Sequence, residues 1–567
     1  MGNDFTRRTI GAVLDHFAET QPHVDALVYA GERGPRYTYE EFRRVCNRAA
    51  KGYMRLGIRK GDHVALWANN RPEWVISQFA LAKMGGVMVT VNTAYRLHEL
   101  EYLLSQSDST TLVLMEQLKE VSYLEMVYKL CPELRESAPG ALNAAKFPYL
   151  KNVIVLSTHA QPGMLTWEQL LALGDEVSDA ELAARQASLD PEDVTTIMYT
   201  SGTTGFPKGV MLTHTNLVAD ATYIGDCMNL TAEDRLCIPV PFFHCFGCVL
   251  GTLACVTHGS TMVPVEAFSP VRVLEALEKE QCTAVHGVPT MFIAELDHMA
   301  AVEAAWKEGQ GRRPYSFPRL RTGIMAGSPC PIEVMKAVVD KMGARELTIA
   351  YGLTEASPVI TQTRVDDPIE LRVSTVGRAL PNVEVKIVDI DSGRDLPPGV
   401  QGELCTRGFH VMKGYYKMPE ATAEAIDKDG WLHSGDLAVM GENGYCKITG
   451  RKKDMIIRGG ENIYPREIEE FLYTHPKVMD VQVVGVPDAK YGEAVAACIR
   501  LEEGQQATEE EIKQFFQGQL ANYKHPRYIK FVDGYPMTAS GKIQKYKLRE
   551  ELARELGLED IGRIETA

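Results

Sequence analysis

Apolar positions along this chain follow a helical period in some segments and short unbroken runs in others, and for most of its length the two alternate. Ile10 to Glu19 carries apolar residues at helical spacing, and Ala26–Tyr29 with Arg36–Tyr39 reads as a strand pair around a glycine-bearing turn. A βαβ unit follows. His63–Trp67 is an apolar strand, Pro72 opens a helix that runs to Met84, Gly85 and Gly86 end it, and Val87–Val91 is the next strand. Further short apolar runs at Leu112–Met115, Val153–Leu156, Thr196–Met198, Arg235–Val240 and Ala284–Gly287 are separated by helical stretches such as Ser269–Glu280. Such alternation predicts the α/β class with parallel strands. Residues 302–317, rich in charge, Gly and Pro, read as a surface excursion. From Val383 the pattern shifts to short β runs, Glu384–Asp389 and Gly402–Thr406, which predicts a small antiparallel β subdomain over 383–450. Beyond the charged link Arg451–Asp454, strands are expected at Val481–Val486 and Ala494–Leu501, and Thr508–Glu511 forms a capping box for a helix to Leu520. The chain is thus expected to divide into an N-terminal domain, 1–450, and a smaller α+β C-terminal domain, 451–567.

One stretch departs from this alternation. Tyr199-Thr-Ser-Gly-Thr-Thr-Gly-Phe-Pro-Lys-Gly209 joins the apolar run ending at Met198 to another beginning at Val210. Gly202, Gly205 and Gly209 permit close backbone approach, so successive N–H groups can converge on one anion. Ser201, Thr203 and Thr204 add hydroxyl donors, and Lys208 supplies a full charge. The composition is that of a phosphate cradle. It is not a Walker A loop, which needs Gly before the Lys and Ser or Thr after it, where Pro207 and Gly209 stand. A Gly/Ser/Thr surface turn is the plain alternative; Lys208 and the length of the stretch weigh against it.

Composition narrows the classes that remain. The 567 residues exceed one core, and 45% apolar with 24% charged residues is ordinary for a globular protein. A net charge of −15 argues against a nucleic-acid or anionic-membrane binder. Residues 451–567, with 18 basic and 20 acidic side chains, are nearly neutral, and between Lys524 and Arg549 seven basic residues meet only Asp533. That run is either a local positive surface for a phosphorylated ligand or a solvated helix face. The twelve cysteines lack paired spacing, which points to a reducing, cytoplasmic-type compartment. Cys245 and Cys248 read as packed thiols rather than zinc ligands. No apolar run is long enough for a membrane-spanning helix.

The stretch from Tyr199 resembles the phosphate loop of the adenylate-forming enzymes, the superfamily of acyl-CoA synthetases, peptide-synthetase adenylation domains and beetle luciferases. Further motifs that resemble that superfamily follow in its order: Ala326–Cys330, Tyr351-Gly-Leu-Thr-Glu355, Gly430–Asp436, Gly450–Asp454, Gly459-Gly-Glu-Asn462 and Pro536–Lys542. The resemblance implies an N-terminal AMP-binding domain and a mobile C-terminal domain. Thr200, Ser201, Gly202, Thr203, Thr204, Gly205 and Lys208 would cradle the phosphates of ATP. Glu355 would hold Mg²⁺ and Thr354 the α-phosphate. Gly327 and Tyr351 would contact adenine, Asp436 and Arg451 the ribose. Lys542 would be the adenylation lysine, Lys453 the hinge, and Gly460 part of the tunnel for CoA. His244, at the mouth of the acyl pocket, with Phe246 and Gly247, completes the set.

The chemistry fits a carboxylate that must be activated before a thiol can attack it. Transfer to AMP provides the leaving group, and donors, a lysine and a metal stabilise the departing pyrophosphate. Between Phe242 and Ala254 there is no acid or full-time cation, so an amino-acid substrate would leave its ammonium unpaired. Gly247, Gly251, Thr252 and Ala254 are small enough to leave room for an acyl chain. The expected substrate is therefore an apolar monocarboxylic acid, a fatty acid first and an aryl or alicyclic acid second. A non-catalytic nucleotide-binding regulator and a luciferase-type oxygenase share the fold. Against the regulator stand Lys208, Glu355, Asp436, Arg451 and Lys542, all present. The expected partners are small molecules, with no nucleic acid and no integral membrane, and a homodimer is compatible with the sequence.

Overall fold

The computed structural model describes residues 5–29, 34–200, 207–327, 330–458, 461–517, 519–520, 522–538 and 542–558. By packing, the chain separates into two units. The first comprises residues 1–373, 377–384 and 406–432; the second comprises 374–376, 385–405 and 433–567. Most of the β subdomain expected over 383–450 therefore packs with the C-terminal residues.

The first unit is built on two large mixed sheets. In the eight-stranded sheet, His63–Trp67 lies between Val87–Thr90 and Thr111–Leu114, all parallel, with Asn152–Val155 following and Val194–Thr200 on the other side. These central strands are buried along almost their whole length, as strands covered on both faces must be. The helix Pro72–Met84 forms as its sequence predicts, with Pro72 in the first turn and Gly85 ending it at φ 81°. In the nine-stranded sheet the parallel core is Arg235–Ile238, Thr261–Pro264, Ala284–Gly287, Thr322–Met325 and Glu346–Gly352. The helix His214–Cys227 touches both sheets, packing on Lys208–Thr213 and on Val359–Gln362.

In the second unit, Val478–Asp488 and Gly492–Leu501 form a long antiparallel pair, extended by Ile456–Arg458 on one side and by Tyr528–Phe531, which runs parallel to Gly492–Leu501. Two apolar clusters cover its faces. One gathers Ile468, Leu472, Ile512 and Phe516, the other Leu548 and Leu552. Leu432–Met440 and Cys446–Arg451 pair antiparallel in a separate four-stranded sheet.

Three expectations are corrected. Tyr39 does not end a strand; it begins the helix Tyr39–Arg55, capped by reciprocal Thr38 and Glu41 hydrogen bonds. The excursion at 302–317 is helical as far as Lys307, because Ala301 to Lys307 holds strong helix formers that continue Pro289–Lys307. The helix after Thr508 runs only from Glu509 to Phe515, short of Leu520, where Gly518 is a poor helix former. Thr508 does accept the Glu511 N–H.

The parallel core of the larger sheet depends on one missing side chain. Gly323 pairs with Val285 at φ 145°, and a Cβ there would lie 1.8 Å from the Val285 carbonyl oxygen. Gly323→Ala is expected to lose about 3 kcal/mol or more of unfolding free energy, read from denaturant titration. A variant as stable as wild type would show that the two strands can separate without cost.

Candidate active site

The phosphate loop hangs from a hairpin. Val194–Thr200 pairs antiparallel with Lys208–Thr213, Thr200 opposite Lys208 and Tyr199 opposite Gly209. Ser201, Gly202, Thr203, Thr204 and Gly205 lie outside the described residues, as does Gly460. The hairpin emerges at the end of the sheet to which the parallel strands point, where open α/β sheets bind ligands.

Lys208 does not stand alone. Its Nζ sits 4.9 Å from the centre of the Tyr415 ring, and the Tyr415 hydroxyl donates a 2.8 Å hydrogen bond to Oε1 of Glu355. One buried aromatic side chain thus touches both the phosphate-loop cation and the expected metal-binding acid. Burial and the neighbouring Glu355 carboxylate push the Tyr415 phenol well above its usual range, so it remains a donor. Glu355 is fixed from behind as well, since its carbonyl accepts the Met412 N–H at 2.9 Å. One carboxylate oxygen is held by Tyr415, and the other would be the donor to an ion. Among the described residues no three His, Cys, Asp or Glu side chains cluster to form a protein cage. A hard carboxylate that must share its ion with phosphate and water suits Mg²⁺.

Tyr415 was not legible as a site residue. The signal is Tyr415 ending the short strand Gly414–Tyr415, but its two partners are far off in sequence.

Thr354 and Glu355 belong to a single turn of 3₁₀ helix, Thr354–Ala356, just past the strand Glu346–Gly352 that carries Tyr351. Gly327, at φ 89°, follows the neighbouring parallel strand Thr322–Met325. Because Met325 is opposite Ile349, Gly327 and Tyr351 each stand two residues further, at the same edge. Cys245 joins a second loop to this edge, its Sγ 3.8 Å from Thr354 Oγ1 and 3.6 Å from His244 Nδ1. His244 Nδ1 also accepts the Phe246 N–H at 3.1 Å. The Phe246 ring lies 5.4 Å from that of His286, which is fully buried.

The small residues expected to leave room for an acyl chain serve packing instead. A Cβ on Gly247 would lie 2.3 Å from the Pro241 carbonyl oxygen, so glycine there allows the tight approach of the preceding turn. One on Gly251 would meet Ile238 at 2.9 Å, Thr252 donates to Gln78 and Cys248, and Ala254 is buried. The segment Phe246–Leu253 winds as a π-helix, buried throughout.

The remaining candidates are in the second unit. Asp436 and Arg451 face each other across a strand pair, Nε to Oδ1 3.4 Å, with Asp436 largely covered. Lys453 lies exposed in the turn that follows. Lys542 closes a loop whose stems are tied by the Lys542 N–H to Thr538 Oγ1 and by the Thr538 N–H to the Lys542 carbonyl. Five of the seven basic residues in the run from Lys524 are ion-paired. Lys524, Arg527, Lys530, Lys545 and Arg549 pair with Glu467, Asp488, Glu555, Glu469 and Glu493 respectively.

This is the architecture of an adenylate-forming enzyme. Residues 14–416 match the AMP-binding enzyme family and residues 467–542 the AMP-binding enzyme C-terminal domain, and the chain belongs to that family as an AMP-forming acyl-CoA synthetase. It is 58% identical to "Putative acyl-CoA synthetase YngI" of Bacillus subtilis (strain 168), over 96% of this chain and 97% of that one. It is 43% identical to "Medium-chain acyl-CoA ligase ACSF2, mitochondrial" of Danio rerio, over 97% and 89%. Among solved structures it is similar to the anthranilate CoA ligase AuaEII in complex with anthranoyl-AMP, with a TM-score of 0.83, 25% identity, and 98% and 99% of the two chains covered.

His286 gives the site a pH signature. Its Nδ1 accepts the Ile324 N–H at 3.2 Å, so its Nε2 carries the proton and donates to the Leu250 carbonyl at 2.9 Å. Burial lowers its pKa to about 4, well under the ordinary 6.5. The unfolded chain therefore takes up a proton between those values that the folded chain refuses, and the stability His286 contributes is lost as pH falls through that window. His286→Gln should cost stability at pH 7.5 and cost less at pH 5, by guanidinium titration of both proteins. A cost independent of pH would show that His286 binds its proton equally well in the folded and unfolded chain.

Proposed function

We propose that this enzyme activates an apolar monocarboxylic acid, a fatty acid of medium chain length, as its acyl-AMP and passes the acyl group to CoA. The observation that carries the first half is the contact of Tyr415 with both Lys208 and Glu355. It brings a phosphate-loop cation and a metal-binding carboxylate to one edge of the fold, as cleavage of ATP between its α and β phosphates requires.

In the first step a carboxylate oxygen of the acid attacks the α-phosphorus and the bond to the β-phosphate oxygen breaks, releasing pyrophosphate. Lys208 and the loop donors stabilise the leaving pyrophosphate, and Thr354 donates to the α-phosphate. Mg²⁺ held by Glu355 supplies neutralising charge at the phosphates when bound. Tyr351 and Gly327 seat the adenine, and Asp436, steadied by Arg451, accepts both ribose hydroxyls. Lys542 meets the substrate carboxylate as charge accumulates. In the second step the CoA thiol loses its proton, sulfur attacks the acyl carbon and the bond to AMP breaks. The C-terminal domain alternates about a hinge at Lys453 in this reading, with the pantetheine of CoA passing Gly460. Lys542→Ala should slow acyl-adenylate formation by a few orders of magnitude and leave transfer from supplied acyl-AMP to CoA largely intact. Equal loss in both half-reactions would remove Lys542 from its assigned role.

Support for the substrate class comes from Phe242–Ala254, which lacks acids, Lys and Arg, and from the medium-chain name of the Danio rerio relative. The anthranilate ligase favours a ring acid as the second reading. The faces of Gly247 and Gly251 are filled by neighbouring atoms, so the acyl chain is assigned to the side of His244 and Phe246. Each buried methylene contributes about 0.8 kcal/mol, so kcat/KM should rise stepwise from acetate through butyrate and hexanoate to octanoate. An ammonium or second carboxylate should lose more than chain length gains. Pyrophosphate release measured for these acids with benzoate, cyclohexanecarboxylate, leucine and succinate decides the class. Leucine or succinate as best substrate would overturn it, and a ring acid ahead of every linear one would install the second reading.

A further inference from the structure

The helix Leu97–Gln106 is remote in sequence from every motif that points to ATP, yet one of its faces is spent on the phosphate loop. Tyr102 and Gln106 are four residues apart and so lie one above the other on the helix surface. The Tyr102 hydroxyl donates to the carbonyl of Pro207, just past the loop, at 3.1 Å. The Gln106 side-chain carbonyl accepts the hydroxyl of Tyr199, just before the loop. Its amide nitrogen donates to the carbonyl of Tyr416 at 2.8 Å. Tyr416 returns to the loop exit, its backbone N–H donating to the Gly209 carbonyl at 2.8 Å, and its hydroxyl donates to Asp108, two residues past the helix, at 2.9 Å.

Few side chains can do what Gln106 does. An uncharged carboxamide accepts from one partner and donates to another at once, which neither a carboxylate nor a hydrocarbon reproduces. The Tyr199 ring also lies over the loop exit, since a Cβ on Gly209 would stand 3.1 Å from its Cζ. With its hydroxyl buried, Tyr199 needs an acceptor to remain in that place. Entry, exit and the strand beside the exit are thus referred to one rigid helical face.

We propose that Tyr102 and Gln106 are positioning residues, which fix the separation of the two stems of the phosphate loop and so its grip on the β and γ phosphates of ATP. The proposal rests on the reading of this loop as the pyrophosphate cradle. It distinguishes nucleotides: a misplaced loop weakens a ligand that carries the terminal phosphates and spares AMP, whose contacts lie elsewhere.

The test is calorimetric titration of the full-length protein with the α,β-methylene analogue of ATP and, separately, with AMP. Gln106→Leu and Tyr199→Phe are each expected to weaken the analogue roughly five- to tenfold while AMP stays within about twofold. Because they break the same hydrogen bond, the double variant should be little worse than Gln106→Leu. Tyr102→Phe should weaken the analogue selectively as well. Lys208→Ala is the separate control. If it leaves the ratio of analogue to AMP affinity unchanged, the cradle reading fails and the proposal with it. If it shifts that ratio but Gln106→Leu and Tyr199→Phe bind both nucleotides as wild type does, the cradle stands and the positioning role is overturned. Should Gln106→Leu not fold, Tyr199→Phe and Tyr102→Phe each delete one hydroxyl. Equal weakening of both nucleotides in these variants, with an unchanged melting temperature, would likewise overturn it.

Discussion

An antiparallel hairpin grafted onto a parallel sheet is the constraint on which this site depends. Parallel strands need long crossovers, so consecutive strands of such a sheet deliver their ends to one edge but cannot themselves close a tight loop there. The reversal from Val194–Thr200 into Lys208–Thr213 does so, and Tyr415 links its Lys208 to Glu355, just past the strand that carries Tyr351 in the companion sheet. Once that hairpin is set, Gly414–Tyr415 can add to its outer side, and Tyr415 reaches Glu355 from there.

The electrostatics follow from this placement. Lys208 rests on an aromatic face rather than directly on Glu355, so the cation and the carboxylate are held near each other without neutralising one another. A direct ion pair would have to be broken when phosphate and metal enter. A ring and a phenolic hydroxyl give up less, because each offers only a partial charge.

Much of the fold was legible because parallel strands buried on both faces must be apolar throughout. His63–Trp67, Val87–Thr90 and Ala284–Gly287 announce themselves in that way, and Gly85 marks where a helix has to stop. The helix end at Lys307 was missed although Gly309, at φ 78°, caps it, because the charge, Gly and Pro of 302–317 read as loop throughout. Site residues held in contiguous motifs were readable from the chain, whereas those that act by contact were not. Tyr415 is 60 residues from Glu355, and Gln106 is 93 from Tyr199, and nothing local marks either. The reading of Gly247 and Gly251 as empty space failed for a related reason: a missing side chain can equally admit a neighbouring backbone or methyl group.

The five ion pairs that consume the basic run of the second unit also bear on how fast nucleotide arrives. Steering of an anion over several ångströms needs unpaired surface charge of one sign, and it weakens with ionic strength as the Debye length shortens. Here five of the seven lysines and arginines from 524 to 549 spend their field on nearby carboxylates, in a chain whose overall charge repels ATP. That run provides little steering to offset the repulsion, so association with ATP should quicken as added salt screens it, and nucleotide selectivity resides in how slowly the bound molecule leaves.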